Sequence, residues 1–214
     1  MKNSKILLVV ACLALAAPFA QALTYDLTSD HVTGGAGTPP FGTVTLTQNG
    51  ANVDFSVALT AGYGFVLTGS ADFQYFKFNG IGVAVGDIIN INQNFLGFTL
   101  SGAASAVPGG FNGDGTGDFT FGLTSDHGTG GSPPIYAGPL SFTVANATIA
   151  DLTVPNTLGI VFVADIIAPA VNGVRNTGPV DATTPNTVPD GGATVMLLGT
   201  ALAGLGAVRR FLKK

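Results

Sequence analysis

An all-β domain is what this sequence predicts, and three observations predict it. Thirty-one glycines sit among abundant Thr, Val, Phe and Asn, while Glu is absent. That is the chemistry of strands and turns rather than of helices. Short stretches alternate polar and apolar residues, the period of a half-buried strand. Turn residues punctuate them, so roughly ten short strands follow, enough for two stacked sheets. The predicted architecture is a single jelly-roll-like β-sandwich over residues 23–167, with a signal peptide before it and a membrane helix after it.

Residues 1–22 have the three parts of a secretory signal peptide. Lys2 and Lys5 supply the positive start, 6–17 the apolar run, and Ala20-Gln21-Ala22 the small-x-small cleavage site. Export through the Sec translocon and cleavage by signal peptidase after Ala22 are therefore expected. Cys12 is the sole cysteine. Val9-Val10-Ala11-Cys12 loosely resembles a lipoprotein box, but the apolar run continues past it, which favours the signal peptide. The exported part then holds no disulfide, thiol nucleophile or thiolate metal ligand.

Strands come next. Thr43-Val44-Thr45-Leu46-Thr47 and Val53-Asp54-Phe55-Ser56-Val57-Ala58-Leu59 alternate around Gln48-Asn49-Gly50-Ala51. Asn-Gly between alternating runs predicts a hairpin with a type I′ turn. Val44, Leu46, Val53, Phe55, Val57 and Leu59 would share the inward face. A second hairpin is expected at Asn79-Gly80, with Phe73, Tyr75 or Phe76, and Phe78 before it and Ile81, Val83 and Val85 after it. Further strands are expected at 88–92, 95–100, 119–123, 140–144, 147–154 and 158–166. The last is nearly all apolar, as a central strand is. From 168 to 187 the pattern stops, and Pro169, Pro179 and Pro185 among Asn, Thr and Gly read as a polar spacer.

Between residues 23 and 187, eleven Asp stand against Lys77 and Arg175, a formal charge of −9. A domain this acidic lacks the Lys and Arg that phosphate backbones require, so nucleic acid is excluded as a partner. Few salt bridges are possible, and cohesion must come from apolar burial and sheet hydrogen bonds.

The tail, residues 188–214, has its own grammar. Val188-Pro189-Asp190-Gly191-Gly192 precedes an uncharged run over 193–208, followed by Arg209, Arg210, Lys213 and Lys214. Sixteen helical residues span roughly 24 Å, and flanking residues can complete a ~30 Å hydrocarbon core. The cations stop transfer and keep the C-terminus inside. Pro189 sets the helix start after it, and Gly191-Gly192 leaves the approach open to an enzyme. A small-residue stripe of Gly199, Ala203 and Ala207 suits close helix contact. A plain tail anchor would need only the helix and the cations.

This tripartite tail resembles the sorting signal of PEP-CTERM proteins, in the variant written VPDSG, with Gly192 in place of Ser. The resemblance implies that the protein is a substrate of exosortase, a membrane-embedded processing enzyme. It would pass through the inner membrane transiently, then reach the envelope surface or extracellular matrix of a polysaccharide-making bacterium. Asp30-His31-x-Thr33-Gly34-Gly35, Pro39-Pro40-Phe41-Gly42-Thr43-Val44, Phe76-Lys77-Phe78-Asn79-Gly80 and residues 111–115 and 144–152 further resemble a recurring group of PEP-CTERM secreted proteins. That likeness implies no activity.

Chemistry-bearing residues are few. Leu27-Thr28-Ser29-Asp30-His31 recurs as Leu123-Thr124-Ser125-Asp126-His127, and each copy runs on to a Pro-Pro pair. If the two loops met, two His and two Asp could hold a divalent metal; otherwise they are capping carboxylates and solvated rings. Asn112, Asp114, Thr116 and Asp118 place oxygens at alternate positions of a Gly-rich turn, the donor type Ca²⁺ takes, although the EF-hand position twelve is Leu123. The alternative is an ordinary exposed turn. No Gly-x-Ser-x-Gly occurs, and the absence of Glu removes half the usual carboxylate pair. A non-enzymatic exported protein, without a cofactor, is the expectation. A Ca²⁺-assisted module binding exopolysaccharide is the alternative.

Overall fold

The computed structural model describes residues 21–92, 98–102, 110–125 and 136–186, together with Gly199 and Leu202. The described chain is all-β apart from short helical turns. Its strands are β1 (Ala22–Leu27), β2 (Ser29–Asp30), β3 (Gly42–Asn49), β4 (Asn52–Leu59), β5 (Gly64–Phe65), β6 (Phe76–Phe78), β7 (Ile88–Ile89), β8 (Phe98–Gly102), β9 (Phe111–Gly113), β10 (Gly117–Phe119), β11 (Phe121–Ser125), β12 (Leu140–Val144), β13 (Phe162–Ile167) and β14 (Thr177–Ala182). One four-residue helix, α1, covers Ile149–Leu152.

The first sheet runs β1-β3-β4-β12-β7. Its alternation is the one the sequence writes. Val44 faces Val57, Leu46 faces Phe55, and Phe142 faces Phe55 from the other side, all buried. Leu59, expected on this face, is only partly buried. The second sheet runs β2-β14-β13-β6-β11-β8, with β5 also paired to β13. Phe76, Phe78 and Phe162 line its inner face, and the rings of the two sheets meet. Phe55 stacks on Phe142 at 4.5 Å and approaches Phe78 at 5.3 Å and Phe162 at 6.0 Å. Tyr25 of β1 meets Phe162 edge-on at 4.9 Å. Such pairs each contribute about 0.5–1.5 kcal/mol beyond burial. The two large sheets therefore share one apolar core.

Several local expectations are corrected. The turn between β3 and β4 is Gly50-Ala51, because Asn49 pairs with Asn52. Gly50 has φ +61 and Ala51 has no positive φ, so the glycine-first pattern replaces the type I′ one. Asn79-Gly80 makes no hairpin, since both edges of β6 are taken by β11 and β13. The Asn79 carboxamide oxygen instead accepts the Thr120 N–H at 2.9 Å, and Ile81 points to solvent. The 147–154 segment is not a strand. Thr148 and Asp151 form a capping box that starts α1, and Ile149 and Leu152 are buried on one side of the turn. Leu158-Gly159 is a turn, and the central strand begins only at Phe162. Residues 119–123 split at Thr120 into the ends of β10 and β11.

The largest correction concerns 168–187. This stretch is no spacer: its Thr177–Ala182 portion is a buried strand between β2 and β13. Pro179 is tolerated there because its partner Asp165 spends its backbone groups on Tyr75 and Val66 and needs no donor from β14, while the Pro179 carbonyl accepts the His31 N–H at 3.1 Å. Gly178 eases the close approach of the Val32 backbone, since a Cβ on it would lie 3.1 Å from the Val32 Cα. No described helix is long and apolar enough to cross a membrane. Residues 1–20, Ala20 included, and the 193–208 segment lie outside the described residues, apart from helical Gly199 and Leu202; Ala22, the last residue of the expected signal peptide, pairs with Thr47 at the start of β1.

Candidate functional site

The two ends of the described domain run beside each other as one antiparallel ribbon. Residues 24–31 leave the first sheet as β1 and enter the second as β2. Residues 179–186 make the reverse passage. Starting inside the second sheet, Pro179 accepts from the His31 N–H, Val180 pairs with Asp30, and Asp181 pairs with Ser29 and accepts the Thr28 N–H at 2.9 Å. Beyond β14, Pro185 bridges to Tyr25, and the Asn186 N–H donates to the Thr24 carbonyl at 2.6 Å. This places Asn186 on the edge of β1 that β3 leaves open.

Side chains reinforce the ribbon. Asp30 caps its own loop, accepting the N–H groups of Val32 at 2.9 Å and Ala36 at 2.7 Å. His31 Nε2 is hydrogen-bonded to Asp181 Oδ2 at 2.6 Å, with Ser29 Oγ at 3.4 Å from the same nitrogen. Both neighbours use one ring nitrogen, so this is not the relay in which a base links acid and nucleophile through opposite nitrogens. The Nδ1 side faces the turn at Gly115, where a Cβ would lie 2.6 Å away.

Register explains why Asp181 is not alone. Ser29, Asp181, Val163, Lys77 and Gly122 occupy one row across five strands, on the face turned away from the shared core. The β9–β10 hairpin covers this row. Two glycines let it lie close: a Cβ on Gly113 would come 2.3 Å from Lys77 Nζ, and one on Gly122 would meet Gln74 and Phe111. Lys77 is wholly buried. Its Nζ donates to the Ala71 carbonyl at 3.3 Å and lies 5.9 Å from the Phe119 ring centroid. Burial pushes its pKa down to about 8, against the opposing pull of Asp165 and, more weakly, Asp72, Asp114 and Asp118. Burial likewise pushes Asp165 up to about 7, although the Thr68 N–H and Lys77 favour its charged form. One oxygen each of Asp165 and Asp181 has no hydrogen-bond partner. Sequence reasoning missed this group, because only the strand register places the three residues on one face.

The proposed calcium ligands sit in that hairpin. The Asn112 side chain donates to Asp118 Oδ1 at 2.6 Å, so these two satisfy each other. Thr116 is buried, and its hydroxyl turns inward to the Gly113 carbonyl at 3.2 Å. Asp114 is exposed, with its N–H on the Ser70 carbonyl at 2.6 Å. Among the described residues no group of three or more His, Cys, Asp or Glu is placed to hold a metal ion. His127 lies outside them. The strands that lead into the two echoed loops, β2 and β11, stand four places apart in the sheet, about 19 Å at the usual strand spacing.

The sorting-motif residues Val188, Pro189, Asp190, Gly191 and Gly192 and the cations Arg209, Arg210, Lys213 and Lys214 also lie outside the described residues. Their sequence carries the decisive finding. Residues 187–211 match the VPDSG-CTERM motif. The VPDSG-CTERM match supports a PEP-CTERM-like sorting signal at this end of the chain and suggests an exported protein sorted by exosortase toward the envelope or surface. No curated protein and no solved structure matches the chain. The matched segment begins at the residue after Asn186, the last described residue of the ribbon.

Proposed function

We propose that this is a non-enzymatic exported protein whose β-sandwich is delivered to the cell surface or extracellular matrix by exosortase. The signal peptide ends at Ala22 and opens the route. The 193–208 helix and the four terminal cations hold the chain briefly in the inner membrane. Exosortase then acts at Val188–Gly192. The observation that carries this reading is the match over 187–211, which spans the five-residue cue, the apolar run and the first two arginines together.

The two described groups with the largest pKa displacement, Lys77 and Asp165, are fully buried. The test is the intact mass of the protein recovered from cells that contain exosortase and from an isogenic strain that lacks it. The expected result is a product starting at Leu23 and lacking Lys214 in the first, and a membrane-retained chain ending in Lys214 in the second. Full-length protein with an unchanged C-terminus in both strains would refute the proposal.

A further inference from the structure

We propose that Asn172-Gly173 is a site of spontaneous modification in the folded protein: the Asn172 side chain cyclises onto the Gly173 nitrogen, loses ammonia, and reopens with water as an isoaspartyl or aspartyl residue. The reaction needs no enzyme and stands apart from the sorting reading above.

Four Asn-Gly pairs occur in the chain, beginning at Asn49, Asn79, Asn112 and Asn172. Each offers the same two groups, a side-chain amide carbon and a following nitrogen that no Cβ shields. The fold holds three of them. Asn49 donates to Asp54 Oδ2 at 3.0 Å, and Gln48 Nε2 clamps its turn through the Gly50 and Asn52 carbonyls, both at 3.1 Å. Asn79 Oδ1 accepts the Thr120 N–H and hydroxyl, and its NH2 group donates to the Val154 carbonyl at 3.4 Å. Asn112 donates to Asp118 Oδ1 at 2.6 Å within the β9–β10 hairpin, where Gly113 lies against Lys77. Asn172 differs. Its carboxamide makes no hydrogen bond among the described residues, residues 171–175 are all exposed, and a Cβ on Gly173 would meet nothing within 4 Å.

Asn172 and Gly173 are the central residues of a tight turn, with φ +52 and +80. The turn is closed by Val171 and Val174, whose N–H groups donate to each other's carbonyls at 2.8 and 3.0 Å. That bridge is the restraint on the tip among the described residues, and a two-stranded hairpin so short is marginal in water. Below it, Arg175 Nε donates to the Ala168 carbonyl at 2.9 Å and the Ala168 N–H to the Asn176 carbonyl at 2.8 Å, so the tip opens while its base stays. In the opened turn the Gly173 nitrogen attacks Asn172 Cγ. The N–Cγ bond forms, the Cγ–Nδ2 bond breaks, and ammonia carries off the proton that Gly173 releases. Water then adds to either ring carbonyl and breaks its bond to the Gly173 nitrogen, which regains a proton. The product carries one more negative charge.

The experiment ages the full-length folded protein in neutral buffer with mild detergent, beside the same chain unfolded in urea. Each Asn-Gly pair is followed by peptide mapping, with methyl labelling of isoaspartate. A side-chain hydrogen bond that must open first slows conversion about fivefold. In the folded protein Asn172 should therefore convert about fivefold or more faster than Asn49, Asn79 or Asn112, whereas in urea the four should convert at similar rates. Asn172→Gly, which keeps the left-handed turn, should lack the first acidic species seen on isoelectric focusing. Folded-state conversion of Asn172 no faster than that of the other three, the same ranking in urea, or an undiminished acidic species in Asn172→Gly would overturn the proposal.

Discussion

Asp165 keeps its proton in the folded chain up to about pH 7, whereas an ordinary Asp ionises near 3.8. Between these values the folded state binds more protons, so stability falls as pH rises from about 4 to 7. Lys77 acts in the opposite window. Its folded form loses the proton at about 8 against the ordinary 10.5, so the unfolded state binds more protons there and stability rises with pH from about 8 to 10.5. Urea midpoints measured across this range should therefore show a contribution from the pair that is lowest between pH 7 and 8. Asp165→Asn should flatten the acid limb, and Lys77→Met the alkaline one. Gly115 offers a second test. It has φ +76, and a Cβ would collide with the His31 ring. Gly115→Ala should cost about 2 kcal/mol, the left-handed backbone penalty plus the clash. In a His31→Ala background the clash disappears, so the same change should cost measurably less in a double-mutant cycle.

At the scale of elements, α1 depends on its cap. Thr148 Oγ accepts the Asp151 N–H, and the Asp151 carboxylate accepts the Thr148 hydroxyl at 2.6 Å and the Thr148 N–H at 2.9 Å; the hydroxyl first and the amide second hold the Asp151 carboxyl below the usual carboxylate range. Thr148→Ala should lower stability by about 1 kcal/mol, read from the denaturant midpoint. The same segment shows where sequence reading succeeds and fails. At 43–47, 53–59 and 140–144 the alternation and the register agree, because one side of each strand meets the shared core along its whole length. At 147–154 a Thr-x-x-Asp cap outweighed a weak strand pattern. At Asn79-Gly80 a sound turn signal had no free edge to fold back on. At 177–182 proline and glycine read as linker, yet the residues are buried, because β13 and β2 supply the pairing that composition alone does not disclose. A linear signal such as the matched 187–211 stretch is legible in the sequence, since one contiguous stretch carries it. The row of Asp181, Lys77 and Gly122 is not, since three distant segments make it.

For the molecule as a whole, one aromatic core joins the large sheets, and cysteine is absent from the exported part, so removing a central ring has no covalent backup. Phe55 touches rings of both sheets, and Phe55→Ala should cost about 3–5 kcal/mol. With Asn112 and Asp118 bonded to each other and Thr116 turned inward, millimolar Ca²⁺ should leave the melting temperature unchanged; a clear rise would restore the calcium-assisted reading. The paired ends add a mechanical corollary. Pulled by its C-terminal end, the described domain takes the load at Asn186. That pull opens the contacts in series, starting with Asn186 on Thr24, then Pro185 on Tyr25, and only later β14 with its Asp181–His31 clasp. The first contacts to part are backbone contacts on the edge of β1, so a pull lengthens the chain by a few residues before β14 is loaded.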